Sequence, residues 1–337
     1  MDILDIKQPG YIKLYHTGEL ERRVKALETR LESCDICPHR CGVNRIKGQK
    51  GFCRSGFKPV VASCCAHHGE EPALSGERGS GTIFFGNCNM RCVYCQNYQI
   101  SQKLQVQEEM EFRDLAGQML YLQDELGCHN INLVSPSHFI PQILRAVLEA
   151  VPQGLHVPLV YNTGGYDALE TIQMLEGIVD IYLPDIRYAS DEMAEKYSGI
   201  KNYVYHNRRA IKEMYRQVGD LQVDESEIAY RGVIVRHLIL PGGISGSRES
   251  LTWLARQVSP LVTVSIMSQY YPCYLAPGIP ELARTITYAE YKEVVDLVEE
   301  LGLENGWLQE MDAPEHYLPD FTRKGHPFES EKEKSTD

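Results

Sequence analysis

Apolar residues along this chain fall into two alternating kinds of stretch. Six short runs are rich in Val, Ile and Leu without strict polar alternation: GTIFFG (81–86), NINLVSP (130–136), VPLVYNTGG (157–165), DIYLPDIRY (180–188), GVIVRHLILPGG (232–243) and VTVSIMSQYYP (262–272). Such runs suit strands of a parallel sheet buried on both faces. Between and after them, apolar residues recur at helical spacing. Leu115, Met119, Leu122 and Leu126 predict a helix over 109–126, stopped by Gly127. Ile140, Ile143, Leu144, Val147, Leu148 and Val151 predict another over 138–151. Further helices fit 166–177, 190–218, 246–258 and 287–301, the last opened by a Thr287…Glu290 capping box and stopped by Gly302. Right-handed crossovers would wind these six strand–helix units in chain order. Six are too few for a closed eight-stranded barrel, so the expected fold is α/β, a partial (β/α)6 barrel.

The ends of the chain depart from this rhythm. Leu20, Val24, Leu27 and Leu31 make 17–33 an amphipathic helix. Residues 34–80 are rich in Cys, Gly, Arg and Lys and show little periodicity, which suggests a loop-built lobe held by something other than a core. The expected organisation is a helix and Cys-rich lobe over 1–80, the partial barrel over 81–305, and a C-terminal extension and tail over 306–337. The final KGHPFESEKEKSTD is charged and expected to fray.

Composition narrows the class. Hydrophobic residues make up 43% of 337, enough for a sizeable core. A net charge of −12 argues against a broad nucleic-acid or anionic-membrane footprint. The opening MDILDIKQPG has no basic and apolar signal regions, and no run approaches ~18 apolar residues. The expected location is the cytoplasm, where clustered cysteines point to metal or catalysis rather than disulfides.

The cysteines are clustered. Cys34, Cys37, Cys41 and Cys53 supply four thiols in 20 residues, a set that holds zinc tetrahedrally or a complete [4Fe–4S] cluster. Arg40, Arg45 and Lys47 stand nearby to offset thiolate charge. Cys64 and Cys65 with His67 and His68 are a further candidate group; adjacent strand residues point oppositely, so both thiols rarely hold one metal, and they read as packing residues or as an occasional single ligand. Cys128 and Cys273 stand apart and read as small buried hydrophobes. Cys88, Cys92 and Cys95 lie in GNCNMRCVYCQN (86–97), directly after the first strand, where α/β folds build their sites. A structural zinc site would take four ligands. Three thiolates suit a [4Fe–4S] cluster that keeps one iron open.

This C-x3-C-x2-C spacing, with Tyr94 just before the last cysteine and a strand just before the loop, resembles the radical S-adenosylmethionine (SAM) superfamily. Together with CDICPHRCGVNRIKGQKGFC (34–53), the stretch GEEPAL to NYQIS (69–101) and SIMSQYYP (265–272), it resembles the proteins related to pyruvate formate-lyase activating enzyme, in particular the PflX group. The resemblance covers most of 30–300. It implies that the open iron binds SAM. Reductive cleavage then gives methionine and a 5′-deoxyadenosyl radical that abstracts hydrogen, while the protein orients and shields the reactants. The implied class is an activating-enzyme-like oxidoreductase with a protein or peptide substrate, glycyl-radical activation being one form. An electron donor such as flavodoxin or ferredoxin is implied, and neither nucleic acid nor membrane. Radical modification of a small molecule, or a non-enzymatic Fe–S or zinc protein, stays open, and no residue is assigned as catalytic.

The resemblance also implies a SAM pocket. Tyr94 is expected near the adenine. Ser135 and Ser137, in SPSH, stand where the family has Gly-Gly-Glu; they are expected to take the SAM amine, or Ser137 caps the next helix. Asn162 is expected at the ribose, or as a turn residue. Asp185 and Arg187, two apart on one strand face, are expected near the SAM methionine, or as an ion pair at the strand end. Arg236 interrupts an apolar strand; its guanidinium is expected on the SAM carboxylate, or on a structural partner such as Asp185. His237 faces the other way and reads as an outer-layer histidine. Gln269 and Tyr270 are expected at adenine or ribose.

Overall fold

A computed structural model describes residues 8–105, 108–311, 318–323 and 326–328. The chain opens with α1 (Gly10–His16) and α2 (Glu19–Thr29), followed by the edge strand β1 (Val61–His67) and a short helix α3 (Pro72–Ser75). Then come β2 (Ser80–Phe85), α4 (Tyr98–Ser101), α5 (Phe112–Asp124), β3 (Ile131–Val134) and α6 (Ile140–Ala150). The middle of the chain gives β4 (Leu159–Thr163), α7 (Leu169–Gln173), β5 (Ile181–Pro184), α8 (Asp191–Ser198), α9 (Tyr203–Val218), β6 (Gln222–Val223) and β7 (Ala229–Leu238). The rest is α10 (Ser247–Gln257), β8 (Thr263–Met267), α11 (Tyr288–Glu300) and β9 (Gly306–Leu308).

All six expected runs are strands, and β2, β3, β4, β5, β7 and β8 pair in parallel in that order. The sheet is not closed. β1 lies antiparallel on the outer edge of β2, and β9 lies parallel on the outer edge of β8. Every residue of β2 to β5 is buried, as the unbroken apolar runs require. The fold is therefore an open α/β barrel, larger than the six-unit reading by the edge strands β1 and β9 and by β6, which pairs antiparallel with β7.

Local chemistry explains where helices differ from expectation. The 190–218 stretch is two helices, because Gly199 ends α8 at φ 63° and Asn202 sits at φ 54° before α9. The helix expected over 166–177 shrinks to Leu169–Gln173. Its start is held in a loop by buried Asp167, which accepts from Tyr161 and Thr163 hydroxyls at 2.8 and 2.7 Å. The Thr287 capping box is formed. α2 starts at Glu19, after a second, unexpected helix α1.

The Cys-rich stretch is tied down by a buried cation. Arg45 donates to the Gly56 carbonyl at 2.9 and 2.7 Å and to the His138 carbonyl at 2.6 Å. Its guanidinium thus joins lobe to barrel in addition to standing near Cys34. Part of the tail expected to fray is docked: Phe328 stacks on His67 at 4.3 Å and His326 bonds the Ala66 carbonyl at 2.9 Å. The rest of KGHPFESEKEKSTD lies outside the described residues. α3 plugs the barrel at the N-terminal ends of the strands, where Ala73 and Leu74 pack with Val160, Ile181 and Ile234. No helix among the described residues is long and apolar enough to cross a membrane.

Candidate active site

The loop Gly86–Asn97 leaves the C-terminal end of β2 and is lashed in place by backbone. Arg91 N–H donates to Ser198 O at 2.8 Å and Val93 N–H to Tyr197 O at 2.9 Å, both at the end of α8. Asn87 is turned at φ 66°, with its N–H on Ile100 O at 2.9 Å. Asn89 Nδ2 donates to Tyr166 O at 2.7 Å. These contacts aim Cys88, Cys92 and Cys95 into one cavity of about 470 Å³.

Each sulfur has a polar partner. Met90 N–H donates to Cys88 Sγ at 3.3 Å, and Ser198 Oγ donates to Cys92 Sγ at 3.0 Å. Cys95 Sγ meets Ser101 Oγ at 3.2 Å. Ser198 also ends a hydroxyl chain, with Tyr94 Oη to Tyr188 Oη at 2.5 Å and Tyr188 Oη to Ser198 Oγ at 2.7 Å. Burial, then the neighbouring thiols, push Cys88 up to about 12 and Cys95 up to about 11, against the pull of the Arg187 guanidinium. Bare thiolates at Cys88 and Cys95 are thus disfavoured here; a cationic centre beside them reverses that balance. Among the described residues, no three His, Cys, Asp or Glu side chains converge on a single metal ion.

The same cavity collects every residue expected of the SAM pocket: Tyr94, Ser135, Ser137, Asn162, Asp185, Arg187, Arg236 and Gln269. Tyr270 lines it too and packs edge-on against Tyr94 at 5.9 Å. Ser137 Oγ bonds Thr163 Oγ1 at 3.1 Å, and α6 has no side-chain cap, so the capping role is not adopted. Ser135 holds φ 59°, a conformation uncommon outside glycine. Asp185 is the electrostatic hub: Oδ1 accepts from Arg236 Nε at 2.9 Å and Oδ2 from Arg187 at 2.5 Å. Arg236 also donates to Asn162 Oδ1 at 2.5 Å, so both its structural partner and Asn162 occupy its fork. Arg187 keeps a buried Nε with no hydrogen-bond partner. Gly165 must be glycine: at φ 76° a Cβ would come within 2.2 Å of Asp185 O. His237 is buried, bonded to Ile186 O and Ser247, as an outer-layer histidine should be.

Sequence reasoning missed Glu70 and Glu71, which line this cavity from the turn before α3. It also missed Gln309, whose Nε2 donates to Gln269 Oε1 at 3.0 Å. The two acids sit in GEEP, a stretch without periodicity, so only their adjacency was a signal. Burial first, then Glu70, push the Glu71 carboxyl up to about 7, against Arg236. Since the folded value lies above the ordinary 4.5, Glu71 contributes stability at low pH that is lost as pH rises through about 7. The ligand-free wild type should therefore lose melting temperature relative to Glu71→Gln between about pH 4.5 and about 7, measured by thermal scans across that window.

Cys34, Cys37 and Cys53 are buried and Cys41 exposed; none lines the cavity. The Ile36 and His39 amides bond the Cys34 and Cys37 sulfurs, two residues on from each cysteine. The same step recurs at Cys88 with Met90 and at Cys95 with Asn97. A Cβ on Gly51 would fall 2.4 Å from Cys41 Sγ. The lobe packs on the three-thiol loop through His39 Nε2 to Asn89 O at 2.9 Å and Arg91 over the Phe52 ring at 4.4 Å. Cys128 is buried as expected. Cys273 is buried too, but beside the loop, its S–H directed at Tyr94 O and Cys95 O at 3.5 and 3.4 Å. Cys64 and Cys65 lie in β1 and do not line the cavity; Cys65 packs with Phe84 and Ile100.

Fold and site together define an open α/β barrel with a thiol-bearing, charge-lined cavity that the loop after its first parallel strand helps to build. No family model matches the chain. It is 29% identical over 309 residues to an uncharacterised protein of Methanocaldococcus jannaschii, covering 90% of this chain and 84% of that protein. Similar solved structures include a radical SAM methyltransferase from Sphaerobacter thermophilus, at 15% identity and TM-score 0.47 over 69% of this chain and 67% of that one. They also include HydG, a maturase of the FeFe-hydrogenase, at 11% identity and TM-score 0.47 over 88% of this chain and 58% of that one. A third is anSMEcpe with bound AdoMet, at 10% identity and TM-score 0.46 over 64% of this chain and 59% of that one.

Proposed function

We propose that this chain is a radical SAM enzyme of the activating-enzyme-like, PflX-related kind. The observation that carries the reading is the placing of Cys88, Cys92 and Cys95 in one cavity with Tyr94, Asn162, Asp185, Arg187 and Arg236. The donor set suits a [4Fe–4S] cluster. All are thiols, and each sulfur has a hydrogen-bond partner that tunes it. Bound there, the cluster would pass an electron to SAM, releasing methionine and a 5′-deoxyadenosyl radical that takes hydrogen from the substrate. The chain's own part is to bind and to exclude water. The Arg187 Nε–H is a free donor for a carboxylate. Tyr94 and Tyr270 offer ring faces for a base. Ser135 and Ser137 stand ready for an amine.

The proposal extends to a protein or peptide substrate, flavodoxin or ferredoxin as electron donor, and a cytoplasmic setting. It also takes Cys34, Cys37, Cys41 and Cys53 as a second site, for zinc or a [4Fe–4S] cluster. The repeated amide-to-sulfur step and the glycine that makes room for Cys41 support it. The test is anaerobic reconstitution with iron and sulfide, then reductant and SAM. The expected product is 5′-deoxyadenosine, absent from Cys88→Ala; none from the wild type overturns the reading. Iron, sulfide and zinc counted per chain, with Cys34→Ala alongside, identify the metal of the second site.

A further inference from the structure

The floor of the cavity is acidic beyond what its own cations match. Among the described lining residues, Glu70, Glu71 and Asp185 face Arg187 and Arg236, three carboxylates against two guanidiniums. Asp185 takes the close contacts of both, at 2.5 and 2.9 Å. Glu70 has a side-chain hydrogen bond with Glu71 and more distant contacts with Arg236 at 3.6 Å and Asn162 Nδ2 at 3.5 Å. Glu71 is 8% exposed, and its Oε2 is buried with no hydrogen-bond partner. An unmatched, unpartnered carboxylate oxygen at a cavity wall is costly unless a ligand completes it.

Its position says which ligand. Glu70 and Glu71 enter from the turn before α3, the helix that plugs the barrel at the N-terminal ends of the strands. The three thiols enter at the other end, after β2. Between them the wall carries the apolar side chains of Phe84, Val134, Leu238, Met267 and Trp307 beside the polar Asn162, Asp185, Arg187 and Arg236. An acidic floor below these apolar side chains fits a cation on an alkyl stem: the head reaches the carboxylates and the stem packs on the apolar groups. An ammonium carries three donors and no acceptor, so it can bond Glu71 Oε2 and Glu70 together.

We infer that Glu70 and Glu71 form a recognition site for a positively charged alkyl group of the substrate, an alkylammonium such as a lysine-type side chain. The inference rests on the proposed function in taking this cavity as the place of hydrogen abstraction. It deepens that reading by naming the group that the barrel floor holds. Burial raises both acids, with Asp185 adding to it at Glu70 and Glu70 adding to it at Glu71, and a bound cation lowers them again.

The test is calorimetric titration of the anaerobically purified full chain with n-butylamine and with neutral n-butanol. A preference for the amine of at least about tenfold is expected, equivalent to about 1.4 kcal/mol. Glu71→Gln should erase the preference and Glu71→Asp should keep part of it. Equal affinity for the two probes in the wild type overturns the inference, and that comparison needs no variant. So does a Glu71→Gln protein that loses SAM binding as fully as amine binding, because the pair then belongs to the SAM site. The readout is binding alone. Amine selectivity without 5′-deoxyadenosine production removes the proposed chemistry and leaves the cation site; production without selectivity does the reverse.

Discussion

Cys92→Ala protein, reconstituted with iron and sulfide, will form no 5′-deoxyadenosine above background and will lose the iron held by the 86–97 loop. Cys92 is the most enclosed of the three thiols, at 5% exposure, and its sulfur accepts the Ser198 hydroxyl at 3.0 Å. On the proposed function, alanine removes one of the three ligands of the cluster, and among the described lining residues no cysteine outside the trio stands by to replace it. Cys273 is the nearest candidate, yet its thiol is turned to the Tyr94 and Cys95 carbonyls. Ser198→Ala is the informative companion. It keeps the ligand and removes one hydrogen bond from the sulfur, so iron content should hold while the reduction potential of the centre falls, because hydrogen bonds to sulfur stabilise the reduced state. Iron analysis and redox titration followed by electron paramagnetic resonance measure both. A Cys92→Ala protein with wild-type iron content and product would remove the loop from the chemistry.

What the sequence disclosed depended on how locally each feature is written. The six buried parallel strands are legible because each is a continuous run of apolar residues, and the thiol loop is legible because all its ligands fall within one short segment. The strand-end residues Asn162, Asp185 and Arg236 could be placed because a parallel barrel brings successive strand ends around one opening. β1 was missed because VASCCAH is mostly small residues half-buried at an antiparallel edge, and β9 because three residues carry no pattern. The Tyr94–Tyr188–Ser198–Cys92 chain joins residues about a hundred positions apart through three hydroxyls and a sulfur, which no periodicity encodes. Glu70 and Glu71 were missed for a related reason. Their burial follows from α3 plugging the barrel, and the plug is visible only once the barrel is assembled around it.

Asp185→Ala will be the most destabilising single change in the cavity, at about 3–5 kcal/mol in urea unfolding, because it strips the carboxylate from two partly buried guanidiniums at once. Asp185 is 3% exposed, and the side chains of Arg236 and Arg187 are 16% and 24% exposed, so solvent replaces the lost contacts poorly. Asp185→Asn keeps the shape and one acceptor, and should cost less than alanine does. The rival partner is Glu70, already 3.6 Å from Arg236. If Arg236 swings to it, the loss concentrates at Arg187. A double-mutant cycle separates the two cases. Pairing Asp185→Ala with Arg236→Met should recover a large part of the cost, since an uncompensated charge leaves with its partner. Pairing Asp185→Ala with Glu70→Gln should be worse than the sum of the single changes, because, of its three neighbouring carboxylates, Arg236 then keeps Glu71 alone. A cost for Asp185→Ala below about 1 kcal/mol, the range of a solvent-exposed pair, would show that the hub is wet and that Arg236 needs no anion to stay folded into the barrel.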